Sequence, residues 1–432
     1  MTLVNRIKIE PKKILFFLSG IVIFTDRIWG QNIYYYAKHA VAGVWCFFLV
    51  IILIKNKGFR SRNIKRQFVL MVAPLLFMAL YAIFIWFFQA GITFNNYSRV
   101  FSTIFYLCLA WGFASIGFYY FGKKCIDYLF YSAIVSYFLF SLLCLIVQYG
   151  FNGIVFYIQS LLLGQDNSAN YIMEVHDLTF AMGVLFIYYA FFEDRKTKNH
   201  YTKIILSAIT ILLGLKRAEI LAIAIAVLIY YLLLKWGKKI TFRAIVLTIV
   251  FTVVSLGFVY VVDTGLLNQI VSVYDINTKG RIEYYGFAKQ YFHFGPDFFG
   301  MGFTRFTKIF EDFFKSGFAI NGHGVAASIH SNTLLLYIEN GFVVFVLWII
   351  YCFGIKTKIL SKKCGILSAE SYLLLTVYVF ILYLTDNTFK YFDTQMMYFL
   401  IPLAIIDSPH TILIKSKINK KREENNEKSI SM

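Results

Sequence analysis

The sequence predicts an all-α polytopic membrane protein of about twelve transmembrane helices, with a large outer loop that contains amphipathic helices. Three observations carry this. Hydrophobic residues make up 59% of the 432-residue chain and charged residues 15%, against roughly 45–50% and about 25% in soluble globular domains. Such a chain lacks the polar surface to cover itself in water, and its mean hydropathy of +0.66 agrees. The apolar residues fall into continuous runs of about 20 residues, the length of a bilayer crossing, and do not alternate as the strands of a barrel do. The basic residues, finally, concentrate in every second connection.

The runs lie near 14–30, 37–54, 68–90, 100–121, 126–148, 177–192, 204–215, 218–234, 243–262, 332–354, 366–385 and 395–413. Asp26 and Arg27 cut the first short; the stretch after Lys13 lacks a small-residue cleavage pattern and reads as an uncleaved first span. Lys216, Arg217 and Glu219 break the seventh from the eighth. The chain thus divides into spans one to nine over 1–262, an outer loop over 263–331, the last three spans over 332–413 and a basic tail over 414–432.

With the N-terminus inside, 30 of the 42 Lys and Arg residues fall in inner segments and 12 outside, while 14 of the 23 Asp and Glu residues lie on the outer side. The net charge of +19 is therefore a topology signal, and nucleic acid is not needed as a partner to explain it. Both termini are expected in the cytoplasm, in a bacterial plasma (inner) membrane. Cys46, Cys108, Cys144 and Cys352 fall in spans, and Cys125 and Cys364 in inner loops, so no disulfide scaffold or clustered metal-ligand pattern is expected.

The outer connections carry the unusual polarity. The loop over 263–331 holds RIEYYGFAKQYFHF and TRFTKIFEDFF, where Phe303, Phe306, Phe310, Phe313 and Phe314 form a stripe at helical spacing. That stripe predicts an amphipathic helix lying on the bilayer interface or covering a cavity as a lid. Lys216 and Arg217, in GLKRAEILAIA, break the positive-inside pattern, and a cation at mid-membrane costs roughly 2.5–3.5 kcal/mol. Pairing with Glu219 or snorkelling explains part of this, but a local ion pair leaves one cation over.

Arg281 opens KGRIEYYGFAKQYFHFGPDFFGMGF, whose Gly300 to Gly302 turn follows no strand and is no dinucleotide fingerprint. His323, His330, Asn332, Glu339 and Gly341 lead into the tenth span, and a neutral imidazole at that mouth is a candidate proton acceptor. Glu174, His176 and Asp177 stand at the mouth of the sixth span, to cap a helix or contact substrate. Arg99, at the outer start of the fourth span, is a further candidate contact.

In order and sidedness, GLKRAEILA, RIEYYGFAKQY with its GMGF turn, and HSNTLLLYIENGF resemble the O-antigen ligase and polymerase superfamily. Within it the chain looks most like the Wzy-type polymerases of capsular or exopolysaccharide synthesis. The resemblance covers residues 170 to 345 at motif level and the whole chain at topology level. The sequence departs from the family in His330-Ser331-Asn332, where His-Asn is usual, and in Lys216-Arg217, where Ser-Arg is usual.

The resemblance implies a metal-independent, GT-C-type glycosyltransferase without cofactor. It would join oligosaccharide repeat units linked to undecaprenyl pyrophosphate, with lipid-linked donor and acceptor, the bilayer, a flippase and a chain-length regulator as partners. Arg217, Arg281 and His330 are the catalytic candidates, with Lys216, Arg99, His176, Asp177, His323, Asn332 and Glu339 as substrate contacts. A ligase differs only in its acceptor; a flippase or transporter of lipid-linked glycans, or a structural scaffold, uses similar spans but does not require lone cations on one side.

Overall fold

A computed structural model describes residues 10–25, 32–163, 175–214, 216–235, 239–274, 280–315 and 329–406. Every regular element among them is helical. In chain order they are α1 (Pro11–Phe24), α2 (Asn32–Lys55), α3 (Phe59–Trp86), α4 (Phe94–Phe121), α5 (Lys124–Tyr149), α6 (Asn152–Leu163), α7 (His176–Phe191) and α8 (His200–Leu213). There follow α9 (Arg217–Lys235), α10 (Ile240–Thr264), α11 (Leu266–Val273), α12 (Arg281–Lys289), α13 (Arg305–Lys315), α14 (Asn332–Cys364), α15 (Ile366–Thr385) and α16 (Phe392–Ile405).

Each of the twelve expected runs overlaps one of these helices, but among the described residues seven, α2, α3, α4, α5, α10, α14 and α15, are long and apolar enough to cross a membrane by themselves. For four of the others the shortfall is one of length. Helices α1, α8 and α16 have 14 residues each and α7 has 16, and at 1.5 Å per residue these fall short of a hydrocarbon core about 30 Å thick.

The helices sort into a centre and a rim. In α15, 83% of the apolar window is buried inside the protein, and in α14 72%, whereas α2 and α10 bury 22% and 28%. Central α15 packs on α9 and α16, and α16 on α4 and α7. Rim residues such as Phe101 and Leu80 are exposed, which suits side chains that face lipid.

The segment after α10 folds as α11, α12 and α13 at one end of the bundle, which is the loop-bearing end below. The stripe on α13 does not lie on the bilayer. Phe303, Phe306 and Phe310 are buried, with Phe306 and Phe310 against Phe287 and Phe310 also against Tyr284 of α12. The helical period correctly marks the apolar face, but α12 covers it.

The Gly300 to Gly302 turn packs into α14. Helix α14 is broken at Gly341, with φ 74° and ψ 173°, and the turn fills the break. Met301 N donates to Ile338 O at 2.9 Å, Gly302 N to Glu339 O at 2.8 Å, and Phe342 N to Phe298 O at 2.9 Å. The approach leaves no room for a side chain. A Cβ on Gly300 would sit 2.4 Å from the Gly341 nitrogen, and one on Gly341 would sit 2.3 Å from the Phe299 carbonyl carbon.

Candidate functional site

Four separate stretches of chain meet at the loop-bearing end. They are the start of α9 with Lys216, the start of α12 with Arg281, His330 just ahead of α14, and the turn of residues 386–390 between α15 and α16. Ser331 begins α14 by accepting the Leu334 amide at 3.2 Å, an N-cap that supplies an acceptor for one of the orphan amide donors at a helix start. The residue that departs from the family's His-Asn pair is thus a cap. It leaves His330 in the left-handed region at φ 54°, a conformation histidine tolerates better than most residues.

Asn332 fastens this start to the turn. Its amide donates to Asp386 O at 3.1 Å, and its Oδ1 accepts the Phe389 amide at 2.8 Å. The side chain is fully buried, so Asn332 positions the backbone around His330. Asp386, also buried, accepts from Tyr391 Oη at 3.0 Å and from the Asn387 amide at 2.7 Å.

Burial pushes the His330 imidazole below the ordinary histidine pKa; the Asp386 carboxylate opposes this, and Arg281 and Lys216 add to it. These three charges therefore lie close enough to His330 to act on it electrostatically. Tyr284 stacks near the imidazole, with ring centroids 6.2 Å apart. Near neutral pH such an imidazole is uncharged and able to accept a proton. Two cations near a neutral base, with one carboxylate acting on it electrostatically, make a site for an anion with a nucleophile to activate.

The other expected residues take varied places. Arg217 opens α9 and is exposed, with no hydrogen bond or ion pair among the described residues. Glu219 does not neutralise it: that carboxylate is fully buried and accepts from Tyr378 Oη at 3.3 Å. Asp177 caps a helix, but α16 and not its own. Its carboxylate accepts the amides of Asp393 and Thr394, each at 3.0 Å, with Lys38 at 3.7 Å.

Glu339 is buried at the α14 break and accepts from Thr307 N at 3.1 Å and Oγ1 at 2.8 Å. Arg99 pairs with Glu311 of α13 at 2.8 Å. His323, Glu174 and the side chain of His176 lie outside the described residues.

Asp386 and Lys390 were missed by sequence reasoning. The signal was TDNTFKYFD, a polar interruption between two of the most buried helices. Among the described residues no group of three or more His, Cys, Asp or Glu is placed to hold a metal ion.

No curated protein matches the chain. Residues 203–349 match the family model described as O-antigen ligase, and they carry Lys216, Arg217, Arg281, His330 and Glu339 within about a third of the chain. By that segment the chain is similar to the O-antigen ligase and polymerase superfamily.

Proposed function

We propose that the protein polymerises oligosaccharide repeat units, carried on undecaprenyl pyrophosphate, into a surface polysaccharide on the outer face of the bacterial plasma membrane. The observation that carries this is the convergence of Lys216, Arg281 and Asp386 on one half-buried histidine. In this reading the loop-bearing end faces outward, both termini lie in the cytoplasm, and the short helices complete a twelve-span, GT-C-like arrangement.

The donor's pyrophosphate sits among Arg281, Lys216 and the exposed Arg217, because arginine matches phosphate oxygens with two parallel donors. His330 takes the proton from an acceptor hydroxyl. The acceptor oxygen bonds to the anomeric carbon as the bond from that carbon to the pyrophosphate oxygen breaks, and the departing polyprenyl pyrophosphate keeps the electron pair. The cations stabilise the charge that develops there. A single displacement inverts the anomeric centre, and the histidine returns its proton to water.

The test is a strain carrying His330→Ala, Arg281→Ala or Arg217→Ala in place of the natural gene. The protein is expected in the membrane at normal abundance while polymer is lost and single lipid-linked units accumulate. Normal chain-length ladders in all three would sink the reading. A ligase reading is favoured by the description of the matched family; it predicts transfer of a finished chain to another acceptor and undiminished chain growth without this protein. If outer-face units vanish altogether, the protein is a flippase.

A further inference from the structure

A cavity of about 410 Å³ opens at the loop-bearing end, within the range of roughly 300–1,000 Å³ that ligand pockets occupy. One wall is a polar stripe on α4, Arg99, Ser102, Thr103 and Tyr106, at the i, i+3, i+4, i+7 spacing that puts four residues on one helix face. Opposite stand Thr304, Thr307 and Glu311, and Lys390 reaches in from the 386–390 turn. That turn carries Asp386 toward His330 and Lys390 toward the cavity, so the cavity adjoins the histidine site.

Its chemistry is balanced, where the histidine site is cationic. Arg99 is paired with Glu311 at 2.8 Å. Lys390 Nζ donates to Thr307 Oγ1 at 3.3 Å, and that hydroxyl donates to the Glu339 carboxylate at 2.8 Å. Thr304 is held at φ 70°, strained for a β-branched residue, and its buried hydroxyl has no hydrogen-bond partner among the described residues. A polyprenyl chain would strand these polar groups, and a pyrophosphate would meet the Glu311 carboxylate and find Arg99 already paired with it. A sugar ring offers hydroxyls that both donate and accept, and a face for Tyr106.

We propose that this cavity is a subsite for uncharged sugar units of the glycan. The assignment rests on the glycan-transfer reading above and adds a place and a selectivity to it.

The test compares equilibrium binding of two probes to the full chain in nanodiscs: lipid-linked repeat units extracted from a strain lacking this gene, and sugar-free undecaprenyl pyrophosphate. Wild type is expected to prefer the glycosylated lipid. Ser102→Phe and Thr103→Phe, made separately, fill the cavity and are expected to reduce affinity for the glycosylated lipid by roughly tenfold or more, as several lost hydrogen bonds imply. Both variants should bind the sugar-free lipid as wild type does, which also shows that they fold. Phe101→Trp, on the exposed side of the same helix, should keep the preference.

The assignment is overturned if the filled variants keep the preference, if wild type has none, or if both variants lose the sugar-free lipid as well, since the cavity then serves the anion. Because binding needs no turnover, a wild-type protein that prefers the glycosylated lipid but makes no polymer counts against the polymerase reading and leaves the subsite standing.

Discussion

At the start of α8, Lys203 is 2.9 Å from Asp127 and hydrogen-bonded to Glu193, whose other oxygen lies 3.0 Å from the His200 ring. Just beyond the end of the same helix, about 20 Å away at 1.5 Å per residue, Lys216 joins Arg281 and Asp386 around His330. The first cluster is closed. Lys203 and His200 are buried, every charge has a partner inside the protein, and the Tyr189 ring lies 4.6 Å from the Lys203 ammonium. The second is open, since neither Arg217 nor Arg281 has an ion pair among the described residues. A paired network holds helices together, whereas two arginines without an ion pair, near a neutral base, await charge from elsewhere.

The strongest way to break this contrast is to remove one member from each cluster and read activity and stability separately. His330→Ala and Arg281→Ala should lower the rate of chain growth by roughly a hundredfold or more, with the thermal midpoint in detergent unchanged. Lys203→Met should do the reverse. It strands the buried Glu193 carboxylate, a loss of about 3–5 kcal/mol in stability, while each molecule that remains folded keeps its turnover. Equal loss of activity and stability in both clusters would erase the distinction.

A finer test uses pH. In the proposed mechanism activity requires neutral His330, whose pKa is lowered by burial, raised by Asp386 and lowered by Arg281 and Lys216. The acid limb of the rate profile should therefore lie below the ordinary histidine value of about 6.5. Asp386→Asn removes the charge that favours the imidazolium, so the limb should move to lower pH. Lys216→Gln removes one that opposes it, so the limb should move up. Shifts of the same sign in both variants, measured from pH 5 to 8, would exclude His330 as the base. The smallest effect is expected from EDTA, which should leave the rate unaltered because protein cations meet the leaving group's charge.

The open cluster was half legible in the sequence, and the reason is local. Lys216, Arg281 and His330 stand out because each interrupts the expected apolar or charge pattern of its own segment. Asp386 sits in what reads as an ordinary short connection, and becomes significant only because Asn332, far earlier in the chain, ties it beside His330. Asp177 had an open reading for the same reason, since the first amide it caps, that of Asp393, lies 216 residues later. The stripe on α13 shows the limit of periodicity, which tells which face is apolar but not whether lipid or another helix covers it. Run length fared likewise: it located the helices, while α7, α8 and α16 have only 14 to 16 residues in the structure.

The break in α14 also sets an order of events during synthesis. A continuous helix carries its own hydrogen bonds into lipid, but at Gly341 the backbone surrenders them to residues 298–302. Unpaired backbone groups in hydrocarbon cost several kcal/mol each. The upper half of α14 therefore cannot settle until the segment before it has folded against it. The nascent chain must build the site's roof before it can close the floor beneath it.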